Sequence, residues 1–489
     1  MANDFGSAYR SGHTMGAQLG RGEVSAVELV DQAIARIEKL DGSINAVVVR
    51  DFDRARDTAR EADRRRARGD RAPLLGVPMT VKESYNVAGL PTTWGFPEFK
   101  DNRARDDAAT VARLKAAGAI IVGKTNVPVA LADWQSFNPI YGVTRNPWNL
   151  DYSPGGSSGG SAASLAAGYV PLEIGSDIGG SVRVPSHFCG VFGHKATYGL
   201  IPVRGQSLPG TTRAPDLSVC GPMARTAADL DLALGILAGP EQEMANGYRL
   251  ALAEPRHADL ADYRVLVLNA HPLVPTRREV VDAVSRFASN LEKAGVKVAR
   301  SSDLVPDLAH AGRVYVQLLG AETANRMPPQ QRRTIEDAAA KLSPDDDSLH
   351  AIRLRNINLS HSDWVVLDEQ RVRIKAQWRK LFETFDVVIG PPLSTAAFPH
   401  DLDRDQNAKR VNIDGKEITY VDQLVWPGVA TLAGLPATVA PIDRTDDGLP
   451  LGIHIMGAQF DDRTTIAFAG LIERAFGGFK PPPEFAGNT

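Results

Sequence analysis

Residues 155–186 read GGSSGGSAASLAAGYVPLEIGSDIGGSVRVPS and contain two glycine-rich segments, 155–161 and 175–183. Each segment holds a serine that stands out, Ser157 in the first and Ser181 in the second, 24 residues apart. A third segment, 76–82, reads GVPMTVK and ends an apolar run with Lys82. Two hydroxyls and an amine supply the groups for a nucleophile, a proton relay and a base without any histidine.

Short apolar runs and helical patterns alternate on both sides of these segments. Such alternation is typical of a largely parallel sheet with helices on its faces. We therefore expect an α/β fold with a large mixed, mostly parallel twisted β-sheet, covered on both faces by helices. The predicted strands are 119–122, 264–268, 386–389 and 451–456, and the predicted helices are 109–117, about 277–293, about 362–384 and 464–476.

The N-terminal part reads as helical, and the whole chain reads as one domain. Ser25 and Glu28 form a capping box ahead of a helix, and residues 54–68 form a charged helix with a solvated face. A polar stretch at 240–262 is the best candidate boundary, yet both flanks read as α/β. We predict a single domain over 1–489, with a helical layer at 1–70, a catalytic core at 71–240 and a C-terminal α/β part at 241–489 that shapes the substrate pocket.

The bulk composition is that of an ordinary globular protein. The 489 residues carry 43% hydrophobic and 23% charged side chains with a formal net charge of −3, so there is no basic footprint for nucleic acid or an anionic membrane. Two cysteines, Cys189 and Cys220, provide neither a disulfide framework nor metal-ligand spacing. Residues 1–5 lack the features of a signal peptide, and no apolar run is long enough for a membrane span. We expect a cytoplasmic protein.

Two short motif matches do not fit their surroundings. Residues 118–125, GAIIVGKT, match the P-loop pattern, but the middle residues are themselves the predicted strand, whereas a P-loop follows its strand. Residues 155–159, GGSSG, match the nucleophile elbow of α/β-hydrolases, but a loop precedes them instead of a strand. We therefore predict neither a phosphate site nor a Ser-His-Asp hydrolase.

A longer, gapped pattern does fit. Segments 155–161 and 175–186, followed by CGVFG at 189–193, resemble the amidase signature family. The spacing of 75 residues from Lys82 to Ser157 and of 24 from Ser157 to Ser181 matches the Ser–cis-Ser–Lys triad of that family. Segments 76–82, 123–126, 434–436 and 450–453 extend the resemblance over most of the chain.

The resemblance implies a role for each triad residue. Ser181 would be the acyl-accepting nucleophile, Ser157 the bridging proton relay and Lys82 the base, with a cis peptide bond between Gly156 and Ser157. A serine hydroxyl needs an adjacent base. A lysine serves as that base only when neutral, so Lys82 must be buried enough to lower its pKa.

The resemblance also supplies supporting residues. The backbone N–H groups of Ile178, Gly179, Gly180 and Ser181 are expected to bind the developing oxyanion. Asp177 and Arg183 flank the nucleophile and either support its loop or form an ordinary structural ion pair, and the ion pair is favoured over a direct chemical role. Ser158 either donates a hydrogen bond to Lys82 or is simply a turn serine. No metal and no cofactor is expected.

The sequence says less about the substrate. Where many family members carry a glutamate, this chain has Val127, and His194 stands where an apolar residue is more common. We expect Cys189 to be a buried, unreactive thiol. The aromatic candidates for lining the pocket are Trp94, Trp134, Phe137, Tyr141 and Trp426.

The resulting functional prediction is an amidase for small or medium carboxamides. Aryl amides, oligoamides and carbamates are the candidate substrates, and the small-molecule amide is the expected partner, without nucleic acid or membrane. A homodimer is an expectation from the family alone. The alternatives are the glutaminase (A-type) subunit of a tRNA-dependent amidotransferase and a non-catalytic binding protein on the same fold.

Overall fold

A computed structural model of the chain describes residues 6–241, 243–324, 327, 329–403 and 405–486. Residues 1–5, on which the signal-peptide prediction depends, lie outside the described residues. Its helices are α1 Gly12–Arg21, α2 Ala26–Ile44, α3 Phe52–Ala67, α4 Ala109–Ala116, α5 Gly159–Ala166, α6 Arg183–Cys189, α7 Ala227–Leu237, α8 Arg278–Lys293, α9 Leu308–Ala324, α10 Pro329–Ala339, α11 Leu349–Arg355, α12 His361–Thr384, α13 Val425–Leu432, α14 Asp462–Phe476 and α15 Pro483–Ala486.

The strands alternate with these helices along the chain. They are β1 Val47–Arg50, β2 Pro78–Lys82, β3 Ile120–Thr125, β4 Phe137–Asn138, β5 Gly142–Val143, β6 Leu172–Asp177, β7 Phe192–Lys195, β8 Val219–Ala224, β9 Arg264–Val267, β10 Lys297–Ala299, β11 Val387–Gly390, β12 Arg410–Ile413, β13 Lys416–Thr419, β14 Ala437–Arg444 and β15 Pro450–Met456.

One large sheet runs through the described part of the chain. Its eleven strands have the order β1-β3-β2-β6-β8-β7-β14-β15-β11-β9-β10, and two small two-stranded sheets, β4-β5 and β12-β13, accompany it. Every residue of β2, β6 and β15 is buried, as expected for central strands covered on both faces. The sheet draws strands from residues 47–50, from the glycine-rich core and from the C-terminal part.

The predicted α/β class and mixed sheet are confirmed, but the prediction that the sheet is mostly parallel is wrong. Among the described strand pairs of the large sheet, four are parallel and six are antiparallel. Antiparallel neighbours need no crossover helix. The turn between β14 and β15 shows this, because Thr445 N–H donates to Leu449 O at 2.8 Å across an Asp-Gly turn.

The individual elements agree closely with the sequence predictions. Ser25 and Glu28 form the predicted capping box at the start of α2. The P-loop match is rejected as expected, because residues 120–125 form the buried strand β3, in which Lys124 bonds Pro91 O and Thr92 Oγ1. None of the described helices combines the length and the apolar character that a bilayer crossing requires.

Candidate active site

Lys82 is the last residue of β2, and its side chain is fully buried. Its Nζ donates to Ser157 Oγ at 2.7 Å and to Ser176 Oγ at 3.0 Å. Burial lowers the pKa of Lys82 to about 7, although the carboxylate of Asp177 opposes part of that shift. The predicted burial of this lysine is therefore confirmed, and near neutral pH a substantial fraction of its amine is unprotonated.

Ser157 lies in the loop that leads into α5, and no strand directly precedes it, as the rejected elbow motif predicted. The peptide bond between Gly156 and Ser157 is cis, as the family resemblance implied. Gly156 passes so close to the backbone at 133–135 that a Cβ there would lie 2.2 Å from Asp133 O. Only glycine fits at that position, which explains part of the glycine-rich segment.

Ser181 lies in the turn between β6 and α6, which we call the nucleophile turn and define as residues 177–183. The two serine segments meet through the backbone, because Ser158 N–H donates to Ser181 O at 3.1 Å. Ser181 is 6% exposed, whereas Lys82 is 0% exposed. Within the described chain, Ser181 Oγ makes no hydrogen bond. Of the two hydrogen bonds that the proton relay needs, only the one between Lys82 and Ser157 is formed. Catalytic hydrogen bonds often tighten only when substrate binds.

The carboxylate of Asp177 organises the nucleophile turn. It accepts hydrogen bonds from Gly180 N–H at 2.9 Å and Val182 N–H at 3.0 Å, and it pairs with Arg183 through two bonds of 2.8 and 2.9 Å. Both side chains of the pair are fully buried. Burial alone would raise the pKa of Asp177, but the guanidinium of Arg183 holds it well below its usual range. The predicted ion pair is confirmed.

The same contact corrects one of the four predicted oxyanion donors. Gly180 N–H is occupied by Asp177, because that carboxylate caps the turn, so Gly180 has no free donor. In the described chain, the N–H groups of Ile178, Gly179 and Ser181 donate to no protein atom. They are the donors that remain for an oxyanion.

Two side chains from distant parts of the sequence bind carbonyl groups of the nucleophile turn. Tyr315 OH donates to Ile178 O at 2.8 Å, and Trp134 Nε1 donates to Gly179 O at 2.9 Å. Because a trans peptide places its N–H opposite its C=O, the bond from Tyr315 directs Gly179 N–H away from Tyr315. The predicted pocket residue Trp134 therefore lies against the nucleophile turn.

Ser158 does not hold Lys82, and that alternative is wrong. In the described chain its buried Oγ has no hydrogen-bond partner, since Lys82 Nζ is directed at Ser157 and Ser176 instead. Ser176 lies inside the segment 175–183, but no pattern in the sequence marks it as a partner of Lys82. No pattern marks Gln206 either; its Nε2 donates to Ser176 Oγ at 3.0 Å and so orients the hydroxyl that accepts from Lys82.

We expect Ser176→Ala to lower kcat roughly 10-fold while leaving KM little changed, since a hydrogen bond to a charged group is lost. The Ser176 hydroxyl stabilises the charged form of Lys82, so its removal also shifts the acid limb of the pH–rate profile to lower pH. Steady-state kinetics across pH measure both effects. Ser164→Ala is the matched control, because the buried Ser164 hydroxyl contacts Thr80 Oγ1 and not Lys82. An unshifted profile for Ser176→Ala would contradict this role.

The other aromatic candidates are less directly connected to Ser181. Trp94 is buried and donates from Nε1 to Ser84 O, while Trp426 is buried and donates to Thr276 Oγ1. Phe137 lies in β4 near Lys409 Nζ, and Tyr141 OH contacts Glu83 Oε1 at 3.5 Å. Among the five side chains, the indole of Trp134 is the one whose hydrogen bond reaches the nucleophile turn in the described residues.

Cys189 and His194, both named in the sequence analysis, contribute to the buried structure and not to the triad. Cys189 is buried, and burial raises the pKa of its thiol well above the usual value, which agrees with the predicted inert thiol. His194 on β7 is fully buried and bonds Asp462 Oδ1 at 3.0 Å and Thr438 Oγ1 at 2.9 Å. Within the described residues, no group of three or more His, Cys, Asp or Glu is placed to hold a metal ion.

Comparison with known proteins places this geometry in a family. The family model described as Amidase matches residues 28–466. AmiB2 of Mycobacterium tuberculosis, whose name describes it as an amidase, is 34% identical and covers 96% of both chains. The A-type subunit of the glutamyl-tRNA(Gln) amidotransferase of Roseiflexus castenholzii is 33% identical and covers 93% of this chain and 94% of its own.

A solved structure agrees with the sequence comparisons. The crystal structure of a bacterial aryl acylamidase of the amidase signature family superposes with a TM-score of 0.81 at 25% identity, covering 96% of each chain. The chain therefore belongs to the amidase signature family of hydrolases, which act on the carbon–nitrogen bonds of amides.

Proposed function

We propose that this protein hydrolyses the amide bond of small or medium carboxamides through an acyl-enzyme on Ser181. The observation that carries the proposal is the contact of 2.7 Å between Ser157 Oγ and the Nζ of a fully buried Lys82. A buried amine with a pKa of about 7 is able to accept a proton near neutral pH.

The proton path follows from the order of the three groups. Ser157 Oγ passes its proton to neutral Lys82 and takes the proton of Ser181 Oγ as the latter attacks the amide carbonyl. The C–N bond then breaks, and Ser157 returns a proton to the departing nitrogen, since an amine anion is a poor leaving group. Water attacks the resulting ester by the same path, which releases the acid and restores Ser181.

The nucleophile turn supports the charged intermediate. The N–H groups of Ile178, Gly179 and Ser181 are the proposed oxyanion donors, while Asp177 and Arg183 hold the turn in shape. One such donor is worth on the order of 10²–10³ in rate. Tyr315, by binding the carbonyl of Ile178, fixes the N–H of Gly179 before the substrate arrives, and Trp134 holds the next peptide group through Gly179 O.

Aryl amides are the favoured substrates within this class. The support for this preference is the bacterial aryl acylamidase structure, which resembles this chain over 96% of its length. The remaining aromatic candidates stay predictions, as do the homodimer, the cytoplasmic location and the division of the chain at residues 70 and 240.

A second candidate is the glutaminase subunit of a tRNA-dependent amidotransferase. The Roseiflexus castenholzii amidotransferase protein is 33% identical over nearly the whole chain. Such a subunit works within a complex, so the purified chain alone would then show little amidase activity and partner subunits would co-purify with it.

The decisive experiment is a substrate panel of primary amides, anilides, carbamates and linear oligoamides, combined with fluorophosphonate labelling of Ser181. We expect the purified chain to hydrolyse at least one anilide and to carry the label on Ser181. If Ser181 is labelled and glutamine is the only amide that is cleaved, the result would favour the glutaminase subunit. Absence of both turnover and label would contradict catalysis and favour the binding protein on the same fold.

A further inference from the structure

A cavity lies between α12, α13 and the segment 213–217. Its volume is about 300 Å³, at the lower end of the range for ligand pockets. Tyr198 and Trp364 supply aromatic walls, and Thr431 of α13 forms part of the lining. In the described chain, the lining includes none of Lys82, Ser157 and Ser181. The cavity is thus separate from the proposed catalytic groups.

Three cationic side chains line this cavity, and two of them are neutralised by carboxylates. Arg213 donates to both oxygens of Glu322 at 2.6 and 2.8 Å. Arg371 donates to both oxygens of Asp216 at 2.9 and 2.8 Å and to Asp368 at 2.7 Å. These pairs balance the charge of both guanidinium groups.

Lys375 is different. It lies one turn after Arg371 on α12 and is half-buried, yet its ammonium has no hydrogen bond or ion pair anywhere in the described chain. Burial lowers its pKa, and the like charge of Arg371 lowers it further. Asp368 and Asp216 oppose this lowering from a distance, but both are bonded to Arg371. A carboxylate in the cavity would give the ammonium a direct partner.

The cavity wall contacts the nucleophile turn directly, and two further contacts continue inside the turn. Thr431 Oγ1 accepts a bond from Arg183 Nη2 at 2.8 Å. Arg183 pairs with Asp177, whose carboxylate holds Gly180 N–H. A ligand that displaces the Thr431 hydroxyl therefore acts on the same ion pair that shapes the turn.

We propose that this cavity is a second binding site for a small organic carboxylate, held by the Lys375 ammonium between Trp364 and Tyr198, and that its occupancy changes the reactivity of Ser181 through Thr431 and Arg183. The volume suits an acid with a single ring or a short chain. The ring packs between the aromatic walls, and the carboxylate becomes the direct partner of Lys375.

Binding is tested by calorimetric titration of the full chain with benzoate, with benzyl alcohol as the uncharged probe. We expect saturable benzoate binding, weakened about 10-fold or more by Lys375→Gln and unchanged by Lys380→Gln, an exposed lysine on the same helix. Benzyl alcohol should bind the wild type at least about 10-fold more weakly than benzoate does. No saturable binding, or equal binding by the wild type and Lys375→Gln, would overturn the site whether or not the amidase proposal holds.

Coupling is tested by the rate at which a fluorophosphonate labels Ser181, with and without saturating benzoate. We expect benzoate to change this rate in the wild type but not in Thr431→Val, which keeps the shape of the side chain and removes the contact with Arg183. If benzoate leaves the wild-type rate unchanged, the coupling is overturned. If it slows labelling equally in Thr431→Val and Lys375→Gln, benzoate competes at Ser181 and the second site is not its cause.

Discussion

Ser181→Ala should reduce kcat/KM by about 10⁴-fold or more on the best substrate of the panel, because no other hydroxyl then takes the acyl group. The fold should survive the change, since Ser181 Oγ makes no hydrogen bond within the described chain. Steady-state and burst kinetics measure the loss, and mass spectrometry of the trapped acyl-enzyme checks its position.

The matched control is Ser158→Ala, in the other serine segment. Its hydroxyl is buried without a hydrogen-bond partner in the described chain, so its removal leaves nothing unsatisfied. We expect its kcat/KM to stay within about threefold of the wild type. Comparable losses in both variants would mean that the roles given to the two segments are wrong.

Lys82→Met should lower kcat/KM by roughly 10³-fold or more at neutral pH, since Ser157 loses the group that takes its proton. Burial lowers the pKa of Lys82 to about 7, and only the neutral amine is a base. Wild-type activity should therefore rise with pH through about 7 and level off above it. In the variant, the increase in activity around pH 7 should be absent. At high pH the ratio of wild-type to variant kcat/KM should become smaller, because hydroxide substitutes for the base.

Lys124→Met is the matched control for removal of a buried ammonium from the neighbouring strand. Lys124 is also fully buried, but its Nζ contacts Pro91 O and Thr92 Oγ1 instead of a triad serine. The variant should be less stable to urea while keeping the wild-type pH–rate profile. Near-wild-type turnover by Lys82→Met at pH 7 would exclude Lys82 as the base.

Local patterns in the sequence predicted the elements and the central contact well. The capping box at Ser25, the strands and long helices, the burial of Lys82 and the Asp177–Arg183 pair all depend on nearby residues or on a long motif with fixed spacing. The motif also pointed to the pairing of Lys82 with Ser157, which the structure closes at 2.7 Å.

The missed features arise from contacts between distant segments. Tyr315 binds the carbonyl of Ile178 from 137 positions away, and no local pattern marks that tyrosine. The sheet was expected to be mostly parallel because helix and strand alternate, whereas strands such as β14 and β15 pair through a tight turn. Gly180 looked like an oxyanion donor until the capping role of Asp177 was visible in three dimensions.

The catalytic groups and several residues next to the nucleophile turn come from different parts of the chain. This bears on which substitutions the protein tolerates. Lys82, Ser157 and Ser181 all come from the first 200 residues, whereas Tyr315, Leu424 and Pro427, which lie next to residues 178–180, come from later in the chain. Substitutions in these later segments should change how the turn is held, because Tyr315 donates to the carbonyl of Ile178, while leaving the residues of the proton path in place. Directed evolution of the catalytic rate should therefore accept changes in these later segments and leave residues 76–82 and 155–183 untouched.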